Sequence, residues 1–144
     1  MTLHRAHGLA LQPPPGWHVQ VVDLFSGAPE EDFAPHLLVV RDVLAEGDDL
    51  AAYVDREAAK LARRLPRFAL DTRRVRSTAS GEAVELAFTW VDGTRAVAQR
   101  QLYAATTERG VATLTVTTLP GYAASHAETI DALFASVCTG ITPR

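Results

Sequence analysis

Four stretches rich in β-branched and aromatic residues follow one another almost without interruption: Phe68–Arg76, Ala83–Val91, Ala96–Thr106 and Val111–Thr118. The segments between them, built on "STASG", "DG" and "ERG", are too short for a crossover helix, so each strand must turn back on its predecessor. An antiparallel meander is therefore fixed, and the remaining chain has to be fitted around it.

Upstream, Gly8–Gln12 alternates weakly as a short strand, and Pro13, Pro14 and Pro15 stop sheet pairing. Gly16 leads into a second strand, Trp17–Phe25, followed by a surface loop, "SGAPEEDFAP". "HLLVVRDVL" is nearly continuously apolar from Leu37 to Val40, as expected for a central strand covered on both faces. Asp48 or Asp49 then caps a helix whose Leu50, Tyr53, Val54, Glu57, Ala58, Leu61 and Leu65 recur at helical spacing until Pro66. Acidic residues at its start and Lys60, Arg63 and Arg64 at its end complement the helix dipole. Ser125 and Glu128 have capping-box spacing before a last helix striped by Ile130, Leu133, Phe134 and Val137.

The order βββαββββα predicts an α+β fold, a sheet of six to seven antiparallel strands in one domain spanning residues 1–144. Two helices with single apolar stripes can cover one face, so both are expected on the same side. Leu86, Phe88 and Trp90, with Leu114 and Val116, are assigned to that covered side. Glu85, Ala87 and Thr89, with Thr113, Thr115 and Thr117, fall on the other. Either parity is open for the strand holding Gln99 and Gln101, and the alternation of His36, Leu38 and Val40 against Leu37 and Val39 is equally undecided. If Val97, Gln99, Gln101 and Tyr103 join the threonines, the second face mixes amides, hydroxyls and apolar groups. Such a face could hold an apolar helix while answering its occasional polar group.

A net charge of −3 and a pI near 5.9 argue against a nucleic-acid partner, which would require excess Lys and Arg. The opening "MTLHRAHGLALQPPPGW" holds no apolar run long enough for a signal core or a membrane span, so a cytoplasmic protein without stable membrane insertion is expected. The one cysteine, Cys138, reads as a buried or half-buried apolar residue. His4, His7, His18, His36 and His126 lack zinc-site spacing, no glycine-rich phosphate loop opens a helix, and no serine sits on a nucleophile elbow. No metal, cofactor or catalytic residue is expected and the chain reads as no enzyme; a hydrolase or isomerase using His36 or His18 near Asp23 is the weaker alternative. Arg41–Asp42 reads as a structural charged pair.

The stretches "PPPGWHVQVVDLF" (13–25), "LLVVRDVLAEGDDLAAYVDREAAKLARRLPRFAL" (37–70), "AVELAFTWVDG" (83–93) and "QRQLYAATTERGVATLTVTT" (99–118) together span nearly the whole chain. In their order and spacing they resemble the DcrB-related proteins of PsbP-like fold, and within them the Eag-type (EagR) chaperones of the type VI secretion system. That resemblance implies a curved antiparallel sheet with helices on its convex side, a homodimer, and a groove cradling the N-terminal transmembrane segments of a PAAR-containing effector before loading. It also implies action in the cytoplasm. Carried over by position, the client-binding groove would comprise Val22 and Leu24, Leu38 and Val40, Glu57, Gln101 and Gln99; the face reading above adds Thr113 and Thr115. Val40 stands where the resemblance implies a small hydroxyl residue, and Glu57 where it implies an amide. Burying about 800 Å² of an apolar segment at about 25 cal/mol per Å² yields on the order of 20 kcal/mol before association costs. The other reading is a DcrB/PsbP-like ligand-binding or assembly protein without a secretion client.

Overall fold

Gly93, with φ of 64°, takes the first central position of a two-residue loop that only glycine enters without strain, and Asp92 pairs with Arg95 across it. The computed structural model describes residues 3–6, 8–17, 21–106 and 109–139. Its elements run β1 (His4–Ala6), β2 (Leu9–Leu11), β3 (Val22–Ser26), β4 (His36–Val43), α1 (Leu50–Arg64), β5 (Ala69–Thr78), β6 (Gly81–Asp92), β7 (Arg95–Ala105), β8 (Gly110–Thr118), α2 (Pro120–Ser125) and α3 (Ala127–Ala135).

The meander β5–β6–β7–β8 forms as expected, and β8 then pairs with β4, giving a six-stranded antiparallel sheet ordered β3-β4-β8-β7-β6-β5. The α+β class holds. β1 and β2 form a separate two-stranded sheet, so the expected strand at Gly8–Gln12 pairs with its own neighbour. Of the expected strand Trp17–Phe25, Val22–Phe25 is strand and pairs with β4; residues 18–20 lie outside the described residues. Among the described residues no helix is long and apolar enough to cross a membrane.

The helices do not share a face. α1 packs Tyr53 and Val54 on Leu86, Phe88, Tyr103 and Val111, whereas α3 packs Ile130 and Phe134 on Ala83, Leu102, Ala104, Ala112, Leu114 and Val116. Leu102 pairs with Leu114 and Leu86 with Gln101, so these two sets project from opposite sides. The assignment of Leu86, Phe88 and Trp90 to the same side as Leu114 and Val116 is thus corrected. The register places Phe88 opposite Gln99 and Gln99 opposite Thr117, and a one-residue difference in parity sends every side chain to the other face.

Asp49 caps α1, its carboxylate accepting from the Ala52 amide at 2.8 Å. The first helical turn itself carries no acid, but Arg63 and Arg64 do occupy the last. The final helix is broken in two: His126 precedes α3 without a side-chain cap bond, and the Ser125 hydroxyl turns back to the Tyr122 carbonyl, so the expected capping box is absent. Pro120 at the start of α2 begins a helical turn earlier than the stripe suggested. Cys138 is exposed rather than buried, because it lies past the end of α3.

Between β5, β6, β7 and α3 sits a charge cluster. Glu85 is fully buried beneath Arg74, Arg76 and Arg100, with Asp131 of α3 completing it. Glu85 therefore belongs to the α3 face and is not solvated. β5 is an edge strand, and its arginines and the register shift at Asp71 discourage pairing with another chain. β3, the other edge, carries no cation and exposes all five residues.

Candidate functional site

The α1 face divides in two. α1 covers β6, the adjoining part of β7 and, through Tyr53, the Val111 end of β8, while the face over β3, β4 and the rest of β8 carries no helix of its own. Three cross-strand rows floor this shelf: Val22–Val40–Thr113–Tyr103, Leu24–Leu38–Thr115–Gln101 and Ser26–His36–Thr117–Gln99. At about 4.8 Å per strand, the three open strands make a shelf roughly 14 Å wide, and the β4 residues from His36 to Val40 span about 17 Å along it. A helix about 10 Å across fits beside α1, and the floor meets roughly 11 of its residues, about half of a membrane-spanning helix.

The eight strand residues assigned to a client groove, Val22, Leu24, Leu38, Val40, Gln99, Gln101, Thr113 and Thr115, all project from this one face. Glu57 of α1 stands half-buried beside it. Burial rises across the shelf: Val22 and Leu24 are exposed at 45% and 61%, Leu38, Val40, Thr113 and Thr115 are half-buried, and Tyr103 is closed over at the foot of α1. Ser26, His36 and Thr117 complete the third row: the sequence reading aligned His36 with Leu38 and Thr117 with Thr115 without assigning them to the groove, and left Ser26 out.

Both glutamine amides are engaged within the sheet. The Gln99 amide donates to the Thr117 hydroxyl at 2.8 Å and its carbonyl accepts from the Trp90 indole at 2.9 Å. The Gln101 amide donates to Thr115 at 3.1 Å and its carbonyl accepts from the Tyr103 hydroxyl. An amide has two N–H donors, and each glutamine spends one in these bonds. The ladder fixes each amide against the threonine hydroxyl of the neighbouring strand, and Thr117 is itself buried.

α1 is tied to the shelf through Tyr53, whose hydroxyl donates to Asp42 of β4 at 2.8 Å and whose ring meets Tyr103 edge-on, centroids 6.1 Å apart. Burial, reinforced by the Asp42 carboxylate and by Glu57, holds the Tyr53 phenol proton well above its usual range; burial does the same for Tyr103. Asp42 thus acts structurally, but through Tyr53; Arg41, its chain neighbour, points to the other face beside Ala112. His36 and Asp23 also lie on opposite faces, since Asp23 pairs with Val39, so they form no shared centre; His18 lies outside the described residues.

The opposite face holds a second concavity. A cleft of about 350 Å³ runs between the β3–β4 end and the α2–α3 segment, floored by Phe25, Leu37, Val116, Ile130 and Leu133. His126, stacked on Tyr122 at 3.8 Å between centroids, stands at its rim.

A family model described as DcrB matches residues 9–136. No curated protein matches the sequence. Among solved structures, PA94 of Pseudomonas aeruginosa, a protein of unknown function described as a putative regulator, superposes with a TM-score of 0.71 at 25% identity, covering 99% of this chain and 96% of that one. LpqN of Mycobacterium tuberculosis, described as involved in cell envelope biogenesis, has a TM-score of 0.54 at 15% identity, with 90% and 87% covered. The latter likeness concerns the fold alone.

Proposed function

The chain belongs to the DcrB family, and from that premise we propose that it is a cytoplasmic, non-enzymatic chaperone or adaptor of the Eag type. It shields the N-terminal transmembrane helices of a PAAR-containing type VI secretion effector until loading, and it needs no cofactor or metal. The observation that carries this reading is the open shelf over β3, β4 and β8. It has the width of one helix, about half the length of a membrane span, and a surface of Val, Leu and Thr set beside a wall formed by α1.

A footprint of about 14 by 17 Å removes roughly 480 Å² from water counting both partners, worth about 12 kcal/mol gross at about 25 cal/mol per Å². Association costs of about 4 to 15 kcal/mol offset much of this. One shelf alone therefore binds reversibly, and a homodimer that pools two shelves holds its client more firmly. Threonine hydroxyls over the shelf provide hydrogen bonds to small or polar residues of the client, as helices do for one another in membranes.

The test is co-expression with the N-terminal segment of a PAAR-containing effector, followed by light scattering on the soluble fraction. A defined complex of two chaperone chains and one segment is expected. A segment that aggregates equally with and without the protein refutes the proposal. The cleft on the α3 face favours a second reading, a DcrB-type ligand-binding or assembly protein with no secretion client; a ligand retained through purification in that cleft, with an empty shelf, would establish it.

A further inference from the structure

We infer that the shelf reads the direction of the helix it holds, accepting an apolar helix with its cationic flank at the Glu57 and Asp42 end. The inference rests on the proposed use of the shelf as a helix cradle. α1 runs the length of the sheet: Tyr53 in its first turns reaches Asp42, and Pro66, just beyond its last turn, accepts from the Val91 amide at 2.9 Å near the β6–β7 loop. With 3.6 residues per turn, Tyr53, Glu57, Lys60 and Arg64 share one flank of α1. Asp55 lies on the opposite flank, paired with Arg73 of β5. β4 and β5 stand on opposite sides of α1, so the Tyr53 flank overlooks the shelf.

The wall of the shelf therefore has a carboxylate toward one end and cations toward the other. Asp42 adds a second carboxylate at the first end, one row beyond Val40. The three floor rows contain no charged group other than what His36 can carry. Neighbouring cations are otherwise engaged: Arg56 pairs with Asp48 and Arg109 donates to the Ala45 carbonyl. Lys60 does pair with Glu57 at 3.0 Å, but its side chain is 50% exposed, and exposed pairs of this spacing contribute little.

An apolar helix laid on the shelf takes water away from Glu57, whose side chain is already only 26% exposed. Covering the Glu57–Lys60 pair desolvates both charges, and a second cation on the carboxylate offsets part of that cost. Membrane helices carry Lys and Arg at their cytoplasmic flanks, and a cation there meets Glu57 and Asp42. The reversed helix instead leaves Glu57 under apolar groups and brings its basic flank to Lys60 and Arg64.

Two probes test this: a 20-residue Leu/Ala helix fused to a soluble carrier, flanked at one end by two lysines or by two serines. The lysine probe is expected to be retained about tenfold more tightly at low salt, the size of one partly desolvated charge pair. Glu57→Gln should bring the ratio near one, and Glu57→Lys should reverse it in favour of a glutamate-flanked probe. A photoreactive group beside the lysines should crosslink to the Asp42–Val43 end of β4. Equal retention of both probes by the wild type, or crosslinking at Ser26 and His36 instead, overturns the directional reading while the shelf stands. Retention of neither probe overturns both.

Discussion

Replacing Glu85 with glutamine should cost this protein roughly a third of its stability. Its carboxylate is fully buried and accepts from Arg100 at 2.6 and 3.0 Å and from Arg74 at 2.9 Å, with Arg76 at 3.5 Å. Arg76 and Arg100 are themselves only 15% and 12% exposed, so two guanidinium groups lose their buried counter-charge together. Breaking one side of a buried ion pair costs about 3 to 5 kcal/mol. The glutamine carbonyl keeps one acceptor, Asp131 still faces Arg100, and half-exposed Arg74 reaches solvent, so the lower end applies, about 3 kcal/mol. Domains of this size are stable by about 5 to 15 kcal/mol. Urea denaturation should show the midpoint falling without a change in slope, and the melting temperature dropping by about 10 °C. The exposed Glu82→Gln is the control. A loss below about 1 kcal/mol for Glu85→Gln, equal to that control, would refute the view that this carboxylate anchors α3 to the sheet.

The hydrogen bond from Arg100, with the Arg100 and Arg76 charges, holds Asp131 below the usual carboxylate range. A depressed folded value means that its stabilising contribution is present above about pH 4 and is lost as pH falls through the folded value. The difference in unfolding free energy between wild type and Asp131→Asn should therefore shrink as the pH falls below about 4; a pH-independent difference would contradict the pairing. Tyr53 and Tyr103 hold their protons above the usual phenol range, so an ultraviolet titration should show them ionising only together with alkaline unfolding, and early ionisation of all three tyrosines would contradict their burial. Asp49→Ala should lower stability by about 1 kcal/mol through loss of the α1 cap, read in the same denaturation assay; an unchanged midpoint would contradict the capping bond.

The meander was legible in the sequence because its loops are too short for anything else, and α1 because its stripe, cap and terminal proline agree. The groove residues fell on one face because alternate positions within a strand share a side: Leu38 with Val40, Gln99 with Gln101, Thr113 with Thr115. Alignment between strands was not legible. It depends on how Gly93–Thr94 and the β7–β8 connection set the register, and that register put Phe88 and Leu114 on opposite faces, with one helix on each. Glu85 looked like an exposed strand residue for the same reason. Its partners Arg74 and Arg76 have matching parity in β5, but only the hairpin register brings them over it. The break at His126 left no mark in the apolar stripe. The DcrB family was readable from the order of the strand motifs.

The central claim is that the α1 side of the sheet, over β3, β4 and β8, lodges an apolar helix. A photoreactive amino acid placed at Leu38 on that shelf, or at Phe25 on the opposite face, reports which surface meets a carrier-fused apolar helix. The account predicts strong crosslinking from Leu38 and none from Phe25; crosslinking from Phe25 alone would contradict it and move the binding site to the α3 cleft.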